Sequence, residues 1–257
     1  MIADDAFLRR LPTVFDGAQS VQIEALVFSA DAIDANFATI KRITAACGKD
    51  ICSAPRHVHV DLFTRTWAIV DCLHVVREIL EALDYQTPLA IAFLEKYEAA
   101  SKLRNLMDHL KNNARNVANA KHRPPIFGVL GYIYVSNENI VMKDGQLTVT
   151  GGATVMLSAG RFLGGRQMTA VNPADLPELR GPVCGFRLEA FDKFLQLEQA
   201  DHDLRALMAE VNDRLEKDIV ERAVTLSKER SIPVEKLLAN PAGGLCLFLA
   251  FKTGDAA

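Results

Sequence analysis

Arg104 and His109, separated by four intervening residues, are the pair in this chain whose types and spacing most suggest chemistry on a phosphate. A guanidinium is always charged and matches phosphate oxygens bidentately. An imidazole titrates near neutrality and can give or take a proton. Asn105, directly after the arginine, could orient either group. Together they could bracket a phosphate, the imidazole moving a proton and the guanidinium holding negative charge. The surroundings carry the same sign. From Lys102 to Arg123 there are six cations (Lys102, Arg104, Lys111, Arg115, Lys121, Arg123) against the single carboxylate of Asp108, in a chain whose net charge is −3. Lys102, Lys111 and Arg115 therefore read as a phosphate-binding footprint. A plainer reading stands beside this one: Arg104 pairs with Asp108 on a helix surface and His109 faces solvent.

The motif must be held by helices. Leu89, Phe93, Leu94 and Tyr97, then Leu103, Leu106, Met107 and Leu110, recur at helical spacing, and the reading carries His109 on the same helix as Arg104. Thr87-Pro88 opens this region as an N-cap followed by proline at the first helical position, and a break near 99–101 would make Ser101 the cap of the motif helix. Upstream, Ile23, Leu26, Ala30, Ile33, Phe37 and Ile40 predict a helix from Ser20 to Gly48, with Asp31 and Asp34 on its outer face. A second long helix is expected from about Val58 to Leu83, apolar on more than one face and so central in a bundle. Trp67, Asp71, His74 and Glu78 form a stripe on it. A carboxylate beside a tryptophan calls for a partner, and Arg104 is the expected one, with Trp67 and His74 in support.

This combination resembles the HEPN superfamily, on the Arg-Asn-x3-His pattern at Arg104–His109 and on the stretch Arg65-Thr66-Trp67-Ala68-Ile69-Val70-Asp71-Cys72-Leu73-His74. The resemblance covers roughly residues 20–120. It implies an all-α bundle, metal-independent ribonuclease activity on single-stranded RNA, and a homodimer whose paired motif helices supply two sets of catalytic groups. A second match, Arg115-Asn116 with His122, is set aside because His122 adjoins Arg123-Pro124-Pro125, where a helix must stop. The rival readings are a non-catalytic nucleotide- or protein-binding module, with an antitoxin or another protein of a defence system as partner, and a structural homodimer.

After Pro125 the pattern changes. Residues 126–135 are β-branched and aromatic, Asp144-Gly145 between 140–143 and 146–149 signals a hairpin, and further strands are expected at 153–157, 162–170 and 184–190. A long amphipathic helix follows from Gln199 to about Lys228, then an apolar stretch at 244–252. The fold class expected is α+β: an N-terminal antiparallel helical bundle over residues 1–124, then a β-rich segment with a long C-terminal helix over 125–257. No apolar run approaches the length of a membrane span and the start lacks a secretory pattern, so a cytoplasmic protein without membrane contact is expected. The 5 cysteines are odd in number and irregular in spacing, which fits free thiols in a reducing compartment. His57 and His59 with His74 invite a metal, but no thiolate or carboxylate stands at a ligand spacing, so neither metal nor cofactor is expected.

Overall fold

The computed structural model describes residues 1–12, 17–119, 125–136, 139–143, 146–149, 151–160, 171 and 182–239. Helix α1 runs Gly17–Cys47 and α2 Arg56–Ala82, joined by a 3₁₀ segment at Gly48–Ser53. The two pack along their length. All six apolar positions read from the sequence of α1, from Ile23 to Ile40, are buried. In α2, Leu62, Phe63, Ile69, Val70, Leu73, Val76, Ile79 and Leu80 are buried, and so is the Thr66 hydroxyl, which returns its proton to the carbonyl of Leu62 at 2.8 Å. Asp31 and Asp34 do not simply face water. Asp31 pairs with Arg9 at 2.7 Å and Asp34 with Arg205, so both fasten neighbouring segments to α1.

Three short helices follow: α3 (Pro88–Lys96), α4 (Glu98–Asp108) and α5 (Leu110–Asn119). Thr87 caps α3 as the sequence implies, its Oγ1 accepting from the amide of Ala90 at 3.1 Å. The cap is buried, so Thr87→Ala is expected to cost about 1 kcal/mol in chemical denaturation. The break between α3 and α4 falls at Tyr97, not at Ser101. Tyr97 is 1% exposed, and its hydroxyl donates to Asp203 at 2.7 Å, with Lys96 and Gln199 donating to the same carboxylate at 2.6 and 2.7 Å.

The chain is α+β. Strands β1 (Val129–Tyr134), β4 (Ala153–Ser158), β5 (Val183–Ala190) and β6 (Lys193–Gln196) form an antiparallel sheet in the order β4-β1-β5-β6, while β2 (Ile140–Lys143) and β3 (Gln146–Val149) pair with each other. Strand β6 had no counterpart in the sequence reading. The expected strands at 162–170 and 244–252, and His122, lie outside the described residues. One sheet face turns Leu130, Tyr132, Phe186, Leu188 and Leu195 into the core that also holds Leu26, Leu73 and Leu103. Phe186 is fully buried between Phe37, edge-on at 5.5 Å, and Tyr132, stacked at 5.0 Å. The other face carries a small cluster of Ile133, Val135, Val171 and Cys184.

Helix α6 (Leu197–Arg230) lays Leu204, Leu207, Met208 and Val211 against this core, and α7 (Val234–Leu237) follows it. Asp203 on α6 is the carboxylate that collects Tyr97, Lys96 and Gln199. Burial works to raise its pKa, but those three donors outweigh it and hold the carboxyl below its ordinary value. A depressed folded pKa adds stability that is complete above the ordinary value and is lost as pH falls through the depressed one. Asp203→Asn is therefore expected to weaken the fold at pH 7, with the gap to the parent closing in urea titrations carried down toward pH 3.

Candidate functional site

Arg104 and Asn105 stand in the last turns of α4. His109 does not share that helix: it occupies the junction between α4 and α5 with φ −96° and ψ 24°. The junction has a local cause. The carbonyl of Leu106, released where the helix breaks, is satisfied by the side-chain amide of Asn113 at 3.0 Å, and the carbonyl of His109 accepts from the amides of Asn112 and Asn113 at 2.9 and 3.0 Å to start α5. The asparagines that weaken a continuous helix here end one helix and begin another. His109 and Asn105 are exposed, as are Lys102, Lys111 and Arg115. Lys102 is engaged by Glu98 at 2.6 Å.

Arg104 reaches across to α2. Its Nη1 lies 3.1 Å from Asp71 and 3.2 Å from Asp108, so the expected partner and the local i,i+4 partner hold the same guanidinium. The pair is less buried than a carboxylate beside a tryptophan suggested: 37% of the Arg104 side chain and 45% of Asp71 are exposed. Burial raises the Asp71 pKa, Arg104 pulls it back, and the second carboxylate of Asp108 raises it again. With both partners solvated, Asp71→Ala is expected to cost under about 1 kcal/mol in thermal or chemical unfolding, less than removal of a partner from a buried arginine would.

Behind this surface pair lies a drier network. Arg77, 8% exposed, donates through Nε to the Ser101 hydroxyl at 3.1 Å, through Nη1 to the carbonyl of Leu94, and pairs with Glu81 at 3.4 Å. His74 Nδ1 meets the same Ser101 hydroxyl at 3.1 Å, and its Nε2 faces Glu78 at 3.4 Å. Ser101 is thus the polar joint between α2 and α4 rather than a helix cap. Sequence reasoning passed over Arg77. Its signal was an arginine placed among Leu73, Val76 and Leu80 on the apolar side of α2.

Trp67 donates its indole N–H to the carbonyl of Phe127 at 3.0 Å, linking α2 to the turn before β1. The other histidines of α2 lie elsewhere: His59 Nε2 contacts the carbonyl of Ile51 at 2.8 Å, and His57 lines a shallow surface depression with Arg56, Val60, Asp61 and Thr64. Among the described residues no three metal-capable side chains converge, no helix is long and apolar enough to cross a membrane, and the four cysteines are free thiols.

Fold and site thus define an α+β chain with a helical-bundle surface that presents an arginine, a histidine and paired carboxylates. No family model matches the chain, and no curated protein or solved structure matches it either.

Proposed function

We propose that the chain is a HEPN-like, metal-independent endoribonuclease that cleaves single-stranded RNA through Arg104 and His109, working as a homodimer. The observation that carries this reading is the Arg104–Asp71 contact at 3.1 Å. It braces the guanidinium from a second helix while leaving it partly exposed, five residues before an exposed histidine at the α4–α5 junction. A guanidinium has five N–H donors, more than two contacts through Nη1 consume. His109, at a helix junction and reachable by solvent, acts as the proton carrier, and a neutral imidazole takes the proton of the 2′-hydroxyl as it attacks the adjacent phosphorus. The oxygen of the departing nucleotide takes a proton in turn, leaving a 2′,3′-cyclic phosphate. Asn105, on the exposed side of α4, orients the phosphate or the imidazole.

The test is to incubate the purified chain with single-stranded RNA in excess EDTA and to analyse the ends. Nicking with 2′,3′-cyclic phosphate termini is expected. RNA bound but never cut favours a second reading, a non-catalytic binding module with an antitoxin or other protein partner. That reading has its own observation: Arg104 is held by two carboxylates, Asp71 and Asp108, which tie up its charge as well as brace it. Absence of binding across a salt series leaves only a structural role.

A further inference from the structure

The stripe that braces Arg104 continues to Trp67, half-buried where it packs against the core and with no part in proton transfer. Contacts between α2 and α4 fix their relative register. His74 meets Ser101 at 3.1 Å, and Asp71 meets Arg104 at 3.1 Å, so each step toward the start of α2 is a step toward the end of α4. Continued by one more turn, this register brings Trp67 level with Asp108 and His109. Trp67 and Asp71 are themselves one turn apart on the same face of α2. One helical turn, about 5 Å along the axis, is comparable to the step from a base to its own phosphate, which a single ribose separates.

Phe127 is the second aromatic residue here. The indole N–H of Trp67 is bonded to its backbone carbonyl, and the phenyl ring is 44% exposed. The turn that presents it is tightly fixed. The amide of Gly128 donates to Pro125 at 3.0 Å, the amide of Phe127 to Ala159 at 3.3 Å, and the amide of Ala159 to Gly128 at 3.1 Å. Gly128 has φ +86°, and a Cβ there would lie 2.5 Å from the carbonyl oxygen of Glu189, so only glycine lets the turn lie on β5. The phenyl ring thus stands on a rigid turn tied to the only tryptophan of the chain, and that tryptophan lies one helical turn from Asp71, the partner of Arg104.

We propose that Trp67 and Phe127 form a stacking platform for a nucleobase of the single-stranded RNA whose phosphate meets Arg104 and His109. The inference rests on the reading given under Proposed function and adds to it the requirement for an unpaired base. Every base has a π-face, so the platform selects single-stranded over double-stranded RNA without selecting a sequence.

Because Trp67 is the sole tryptophan, its fluorescence reports on the platform directly. The full chain is titrated with oligoadenylate and, separately, with an abasic ribose-phosphate oligomer of equal length. Saturable quenching by oligoadenylate and none by the abasic oligomer is expected. Phe127→Ala keeps the backbone carbonyl that Trp67 uses, and should weaken oligoadenylate binding about 5- to 100-fold while leaving abasic binding, followed by anisotropy of a labelled oligomer, unchanged. Phe127→Tyr should restore it. If Phe127→Ala weakens both oligomers equally, or neither, while Arg104→Ala abolishes binding, the platform is overturned and the phosphate site survives. Failure of the parent chain to bind either oligomer overturns both.

Discussion

Arg104→Ala is expected to reduce RNA cleavage about 10²–10³-fold, and His109→Ala about 10²–10⁴-fold, with the fold intact by circular dichroism. The two losses have different origins. On the proposed mechanism, removing the guanidinium takes away the donors that would hold the phosphorane charge, a contribution greatest in the transition state. Removing the imidazole takes away the proton carrier and should flatten the pH dependence of cleavage with it. Asp108→Asn gives the opposite sign in binding. It releases Arg104 from one of two carboxylates, 3.2 Å away, and removes a negative charge that repels phosphate, so RNA should bind about 2- to 5-fold more tightly at low salt. Arg115 is exposed on α5, and on the proposed reading it would act through the general field of the basic segment. Arg115→Ala should weaken RNA binding and lower the slope of affinity against salt by about one unit. Single-turnover cleavage rates and filter-binding isotherms at several salt concentrations separate these effects.

The second large effect concerns stability. Phe186→Ala is expected to cost about 3–5 kcal/mol, because the ring is fully buried and stacks on one aromatic side chain while meeting another edge-on. Its position gives the number a wider meaning. Phe186 belongs to the sheet, Phe37 to the first helix of the bundle, and the same core contains Leu73, Leu103 and Leu204. Loosening the sheet should therefore loosen the helices that present Arg104 and His109. Two probes check this: far-ultraviolet circular dichroism, which follows all helices, and Trp67 fluorescence, which follows α2. Coincident transitions, both shifted to lower denaturant in the variant, are expected of one cooperative unit.

Much of the fold could be read from periodicity. The limits of α1, α2 and α6 fall within a few residues of the apolar patterns that announce them, because each helix buries one long face and its outer face is free to be polar. The Thr87-Pro88 cap was legible because its chemistry is local. The junction at His109 was not. A helical pattern of leucines continues through Leu106 and Leu110, and the break depends on the side-chain amide of Asn113 taking the carbonyl of Leu106, seven residues earlier, a pairing no local pattern announces. Strand β6 escaped for a different reason. Its four residues include only two large apolar side chains, and the strand exists because β5 offers it a free edge. At the site, the Asp71–Arg104 contact followed from the stripe on α2 and the basic motif on α4, but its exposure did not, since depth depends on which helix faces the core. Arg77, the most buried charge near the site, drew no reading, because its bonds to Ser101 and Leu94 depend on how α2 packs against α3 and α4.

If Arg104 and His109 act on the same phosphate, a double-mutant cycle will show it. Single-turnover cleavage of one defined single-stranded RNA is measured in excess EDTA for the parent chain, Arg104→Ala, His109→Ala and the double variant. Groups that serve one transition state are non-additive, so the double variant should lose little more than the worse single variant. Losses that multiply, or cleavage that survives both substitutions, would contradict the account.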